Sequence, residues 1–135
     1  MDDTGSTLLI WDRAEAAPRD AQVLCWRSYE RGAAISSLPE YLELHGERVR
    51  ARYLAFIDSL AERRMAGRRI VDHLAQTDGY SFWWMTLLVE KSPFKSPRIY
   101  DCLRLIALEE IMRARNPRRL VLVLSLIHIS SPRDT

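Results

Sequence analysis

The sequence predicts an α/β protein, a small parallel sheet whose strands are separated by a large helical crossover. Two short runs, Thr7-Leu8-Leu9-Ile10-Trp11 and Leu120-Val121-Leu122-Val123, are continuously apolar rather than alternating. Such runs suit strands buried on both faces, as parallel strands are. Between them the apolar residues fall at helical spacing: Val49, Tyr53, Phe56, Ile57 and Leu60 form one stripe. The stretch from Ile99 to Leu108 is apolar on nearly every side, which predicts a central helix rather than a peripheral one.

The elements follow in order. Residues 1–6 are a polar leader, expected to be disordered. The first strand covers residues 7–11 and stops at Asp12-Arg13. Residues 21–26 are the second strand candidate, although Ala21 and Gln22 suit a helix equally. Ser37 stands where an N-cap belongs, and Glu40 completes a capping box three positions on. The helix that follows runs to Ala66, with Arg48, Arg52, Asp58 and Glu62 opposite the apolar stripe. Gly46 weakens its interior by about 1 kcal/mol against alanine, so a break is expected near it. Gly67 ends it, and a shorter helix spans residues 68–76.

Residues 82–89 suit strand or helix by pattern, and helix is the reading taken, capped by Asp78 or Ser81. Pro93 and Pro97 bound a loop that cannot be regular helix. Ser96 and Pro97 then read as N-cap and first position of a helix to Arg115, stopped by Asn116-Pro117. Residues 7–123 therefore make an amino-terminal α/β domain that is incomplete. Residues 124–135 look like a translated sequencing-library adapter, which would leave the natural chain continuing beyond Val123. The other reading is that residues 124–129 extend the last strand.

Composition removes several function classes. A net charge of +2 on 135 residues gives no electrostatic case for nucleic acid. No apolar stretch reaches the roughly 18 residues that span a bilayer, and the leader lacks a signal peptide's features. Cys25 and Cys102 lie in apolar runs, as free thiols of a reducing compartment do, so a cytoplasmic location is expected. His45, His73 and His128 have no partner at metal-ligand spacing, so no metal is expected. No glycine loop of the dinucleotide or Walker type is present, and no cofactor is called for. No nucleophile elbow surrounds any serine.

Chemistry could gather in residues 90–96, Glu90-Lys91-Ser92-Pro93-Phe94-Lys95-Ser96. Both lysines of the chain fall here, with a carboxylate and two hydroxyls, at the start of a helix. A helix N-terminus favours anions such as phosphate or carboxylate. The other reading is a solvated turn with a capped helix. The Trp83-Trp84 pair suits either core packing or stacking on a sugar or base.

Taken together, Ser36-Ser37-Leu38-Pro39-Glu40 and Tyr80-Ser81-Phe82-Trp83-Trp84-Met85 leading into residues 90–97 resemble a family of bacterial surface-carbohydrate (O-antigen) biosynthesis transferases. That family looks like two-domain glycosyltransferases of the GT-B kind, and the likeness covers residues 7–123. It implies a Rossmann-like sheet that forms part of a two-domain protein. It also implies a division of labour, with the first domain giving acceptor-side surface and the second holding most of a nucleotide-sugar. The partners would be a nucleotide-sugar and a carbohydrate acceptor, with peripheral membrane association and no activity in this region alone. In such a reaction Glu90 would be the base, while Lys91, Ser92, Lys95, Ser96 and Trp84 would bind substrate. The rival expectation is a small helical protein-interaction module with a Trp-rich surface.

Overall fold

The computed structural model describes residues 7–86, 89, 96 and 98–125. They divide into two units, Met1–Leu44 with Leu108–Thr135, and His45–Ala107.

The first unit is built on a four-stranded sheet. Strands β1 (Thr7–Asp12), β2 (Gln22–Cys25), β3 (Ile35–Ser37) and β6 (Arg119–Leu124) lie in the order β3-β2-β1-β6. Every neighbouring pair is parallel, with Leu9 opposite Val23 and Val121, and Val23 opposite Ile35. The α/β class and the parallel sheet expected from the two apolar runs are therefore present. The order is compatible with the first half of a doubly wound, Rossmann-like sheet, whose fourth strand likewise joins the free side of the first.

Alternation along the strands gives the sheet two faces. One carries Leu9, Trp11, Val23, Cys25 and Ile35, covered by Ala17 from the β1–β2 connector. The other carries Leu8, Ile10, Leu24 and Ser36; Leu24 and Ser36 meet Tyr41 and Ile111 from helical segments of the same unit. Val23, Leu24 and Cys25 are fully buried. Each apolar side chain so enclosed stabilises the fold by about 1.5–3 kcal/mol.

Helix α1 (Leu38–Glu62) starts as its capping signature predicts: the Ser37 hydroxyl accepts from the Glu40 amide at 3.3 Å and donates to the Ser28 carbonyl at 2.8 Å. Its expected break falls at His45, where φ −122° and ψ 18° leave the helical region. Sequence reasoning missed β3 because Ser37 serves both as the last strand residue and as the cap.

In the second unit α1 buries Val49, Tyr53 and Ile57 while Phe56 stays exposed. The helix stops at Glu62 rather than continuing to Gly67. Residues 64–69 form a hairpin instead, β4 (Arg64–Met65) pairing antiparallel with β5 (Arg68–Arg69). Ala66 and Gly67 both have positive φ, 49° and 79°, as a two-residue hairpin turn requires. Arg69 fixes the exit by gripping Asp72 at 2.7 Å and Glu62 at 3.0 Å. The expected helix over residues 68–76 shrinks to α2 (Ile70–His73).

Of the expected helix over residues 82–89, Phe82–Met85 is a 3-10 helix ended by Thr86 in extended backbone, and Val89 is α-helical. Helix α3 (Arg98–Arg115) has the expected range, ended by Asn116 at φ 45°. It is not apolar-buried on every side. Ile99, Ala107 and Ile111 are buried, Leu103 and Ile106 half-buried, and Tyr100 and Leu105 exposed. A single helix has more apolar residues here than its packed face can cover. No described helix is long and apolar enough to cross a membrane.

Candidate functional site

Two places are shaped for contact, one in each unit. In an open parallel sheet the ligand crevice lies outside the carboxyl ends of the strands, where the strand order reverses. Here that reversal is between β1 and β6. Asp12 closes β1, its carboxylate largely covered and 3.5 Å from the guanidinium of Arg27, which follows β2. Next to this edge, Trp26 N donates to the Trp11 carbonyl at 2.9 Å, tying the two strand ends together. Neither Asp12 nor Arg27 was singled out from sequence, although a strand closing on Asp12-Arg13 was the available signal.

The start of α1 adjoins a cavity of about 140 Å3 lined by Leu24, Ser36, Ser37, Tyr41, Ile111, Ala114 and Arg115. Its polar groups are engaged. Ser36 Oγ donates to the Val23 carbonyl at 3.1 Å and accepts from Arg115 at 2.8 Å, and Tyr41 Oη donates to Glu110 at 2.8 Å. Small-molecule sites typically run to about 300–1,000 Å3, so this one is too small for a nucleotide-sugar.

The second place is an aromatic row. Gly79, at φ 85°, makes the turn, and the Tyr80 carbonyl accepts from Gln76 N at 2.6 Å. Phe82 N donates to the Leu74 carbonyl at 2.9 Å, and Ser81 Oγ to that of Val71 at 2.6 Å. Ser81, one of the two caps expected, also accepts from Trp83 N at 3.2 Å. These bonds force the side chains to alternate. Trp83 is only 4% exposed and packs against Tyr53, Ile57, Ala61 and Ile99. Trp84 is 59% exposed, and Tyr80, Phe82 and Met85 are exposed with it. The tryptophan pair is thus split, one ring in the core and one on the surface.

Of the remaining sequence candidates, Ser96 is half-buried, with its carbonyl accepting from Ile99 N at 3.2 Å. Glu90, Lys91, Ser92 and Lys95 lie outside the described residues. Among the described residues no three His, Cys, Asp or Glu gather as a metal site would need. Both cysteines are free, and burial, reinforced by the charge of Glu30, pushes the Cys25 thiol up from its ordinary value. Beside Cys102, the Tyr53 hydroxyl is buried with no hydrogen-bond partner among the described residues, and its pKa is raised, first by burial.

No protein-family model matches the chain, and neither does any curated protein or solved structure.

Proposed function

We propose that this chain is the amino-terminal, acceptor-side region of a glycosyltransferase of bacterial surface polysaccharide biosynthesis. The observation that carries the reading is the outward face of the aromatic row. Trp84, with Tyr80 and Phe82 near it in the chain, exposes aromatic rings of the kind that stack on the carbon-bound face of a sugar ring. The parallel sheet supports it, since a doubly wound half-sheet is a common frame for enzymes that use nucleotides.

In this reading Glu90 deprotonates the acceptor hydroxyl, and its proton leaves as the new glycosidic oxygen bond forms. Lys91 and Lys95, with the hydroxyls of Ser92 and Ser96, stabilise the departing nucleotide phosphates. The second domain supplies the nucleotide-sugar, so this region alone is inactive. In this reading the enzyme works in the cytoplasm, on a nucleotide-sugar and a carbohydrate acceptor, and associates peripherally with the membrane.

The test is transfer of sugar from a panel of nucleotide-sugars by the full-length protein. Trp84→Ala should raise the acceptor KM about tenfold with kcat little changed, while Glu90→Gln should lower kcat about a hundredfold or more. Unchanged kinetics in both would overturn the assignment. A second reading, a protein-interaction module, draws on the same exposed row. It is favoured if the full-length protein transfers no sugar and Trp84→Ala instead abolishes capture of a partner protein.

A further inference from the structure

Strand β6 presents a face that its neighbours do not share. Leu120, Leu122 and Leu124 are 37%, 59% and 60% exposed, yet they stand in register with Leu8, Ile10 and Asp12 on the same side of the sheet. Leu8 and Ile10 are each only 2% exposed. The cover on this side of the sheet therefore reaches β1 and stops there. Among the described residues β6 is also the edge of the sheet, with no strand on its far side. An edge strand that shows three leucines is an association hazard unless something covers it.

The connectivity says what that cover is. From β1 to β2 the chain steps one way across the sheet, and the connector lies on the Val23–Cys25 face. From β3 to β6 it steps the other way, and the helical segments lie on the Leu24 face. Opposite directions of travel use opposite faces, as crossovers of one hand require. A further step outward from β6 continues in the β3-to-β6 direction, so its helix falls on the Leu24 face. That is the face of Leu120, Leu122 and Leu124.

We infer that Leu120 and Leu122 seat a helix from the chain that follows β6 in the full-length protein, and that this helix returns to a fifth parallel strand on the open edge. Residues 125–135 cannot be that segment. They number eleven, with Pro132 among them, and a crossover between parallel strands needs a dozen or more before the strand begins. The inference rests on the chain continuing past β6, as the proposed function has it, and not on the reaction catalysed.

The test compares thermal melts of Leu122→Asp in the 135-residue chain and in the full-length protein, with sedimentation of both. Leu122→Asp should shift Tm of the 135-residue chain by no more than about 2 °C and lower that of the full-length protein by about 5 °C or more. Leu122→Met should leave the full-length Tm within about 2 °C. An equal small shift in both proteins would overturn the inference. So would a 135-residue chain that sediments as a dimer and dissociates on Leu122→Asp, which would make a second copy the cover. None of these readouts depends on transferase activity, so an inactive enzyme would leave this result standing.

Discussion

Strands β1 and β6 are hydrogen-bonded neighbours, each a continuous apolar run, and they end in opposite environments. Leu8 and Ile10 are buried, while Leu122 beside Ile10 stays open. An apolar run in a sequence states what must be covered; the surrounding chain decides whether it is. The two strands read alike before folding because burial is a property of the whole sheet and not of the strand.

The largest expected effect sharpens that contrast directly. Ile10→Ala should cost about 2–5 kcal/mol, because the site is enclosed and a cavity remains. Leu122→Ala in the same chain should cost less than about 1 kcal/mol, since half or more of its side chain already meets water. Chemical denaturation of the two variants measures both, and equal losses would erase the distinction between covered and open strand.

Burial helps only groups that want it, and Tyr53 shows the other side. Its ring lies in the second unit's core while its hydroxyl has no partner among the described residues. Tyr53→Phe should keep the packing and remove the orphan, raising stability by about 1 kcal/mol. A loss of stability would reveal a partner for that hydroxyl.

Smaller still is the backbone strain at the hairpin. Ala66 holds φ 49°, a conformation that suits Asn or Gly far better than Ala. Ala66→Asn should gain about 0.5–1 kcal/mol by thermal melt.

The weakest effect is pH dependence. The folded chain holds the Cys25 thiol protonated to a higher pH than the unfolded chain does, chiefly through burial. That contribution is complete below the ordinary thiol value of about 8.5 and is lost as pH rises beyond it. Stability should therefore fall at alkaline pH, and Cys25→Ala should flatten the fall.

Much of the fold was legible because its signals are local. The capping box at Ser37 and Glu40, the break near Gly46, the stop at Asn116 and three of the sheet's four strands all depend on neighbouring residues. What stayed hidden depends on distant ones. Strand β3 is three residues long and pairs with β2 twelve positions away, so its serines read only as a helix start. The hairpin of residues 64–69 has no strand-forming residue, and its turn is held by ion pairs from Glu62 and Asp72 to Arg69. The aromatic row was visible as a tryptophan pair, but which ring faced out was set by Ser81 and its bond to Val71.

The most direct test of this account is residue-resolved amide exchange on the 135-residue chain. An edge strand bonds on one side, so along β6 every second amide should be protected by β1 and the alternate ones should exchange freely. Along β1, paired with β2 and β6, protection should be continuous from Leu8 to Trp11. Continuous protection along both strands would contradict the account, because β6 would then be covered on its far side as β1 is.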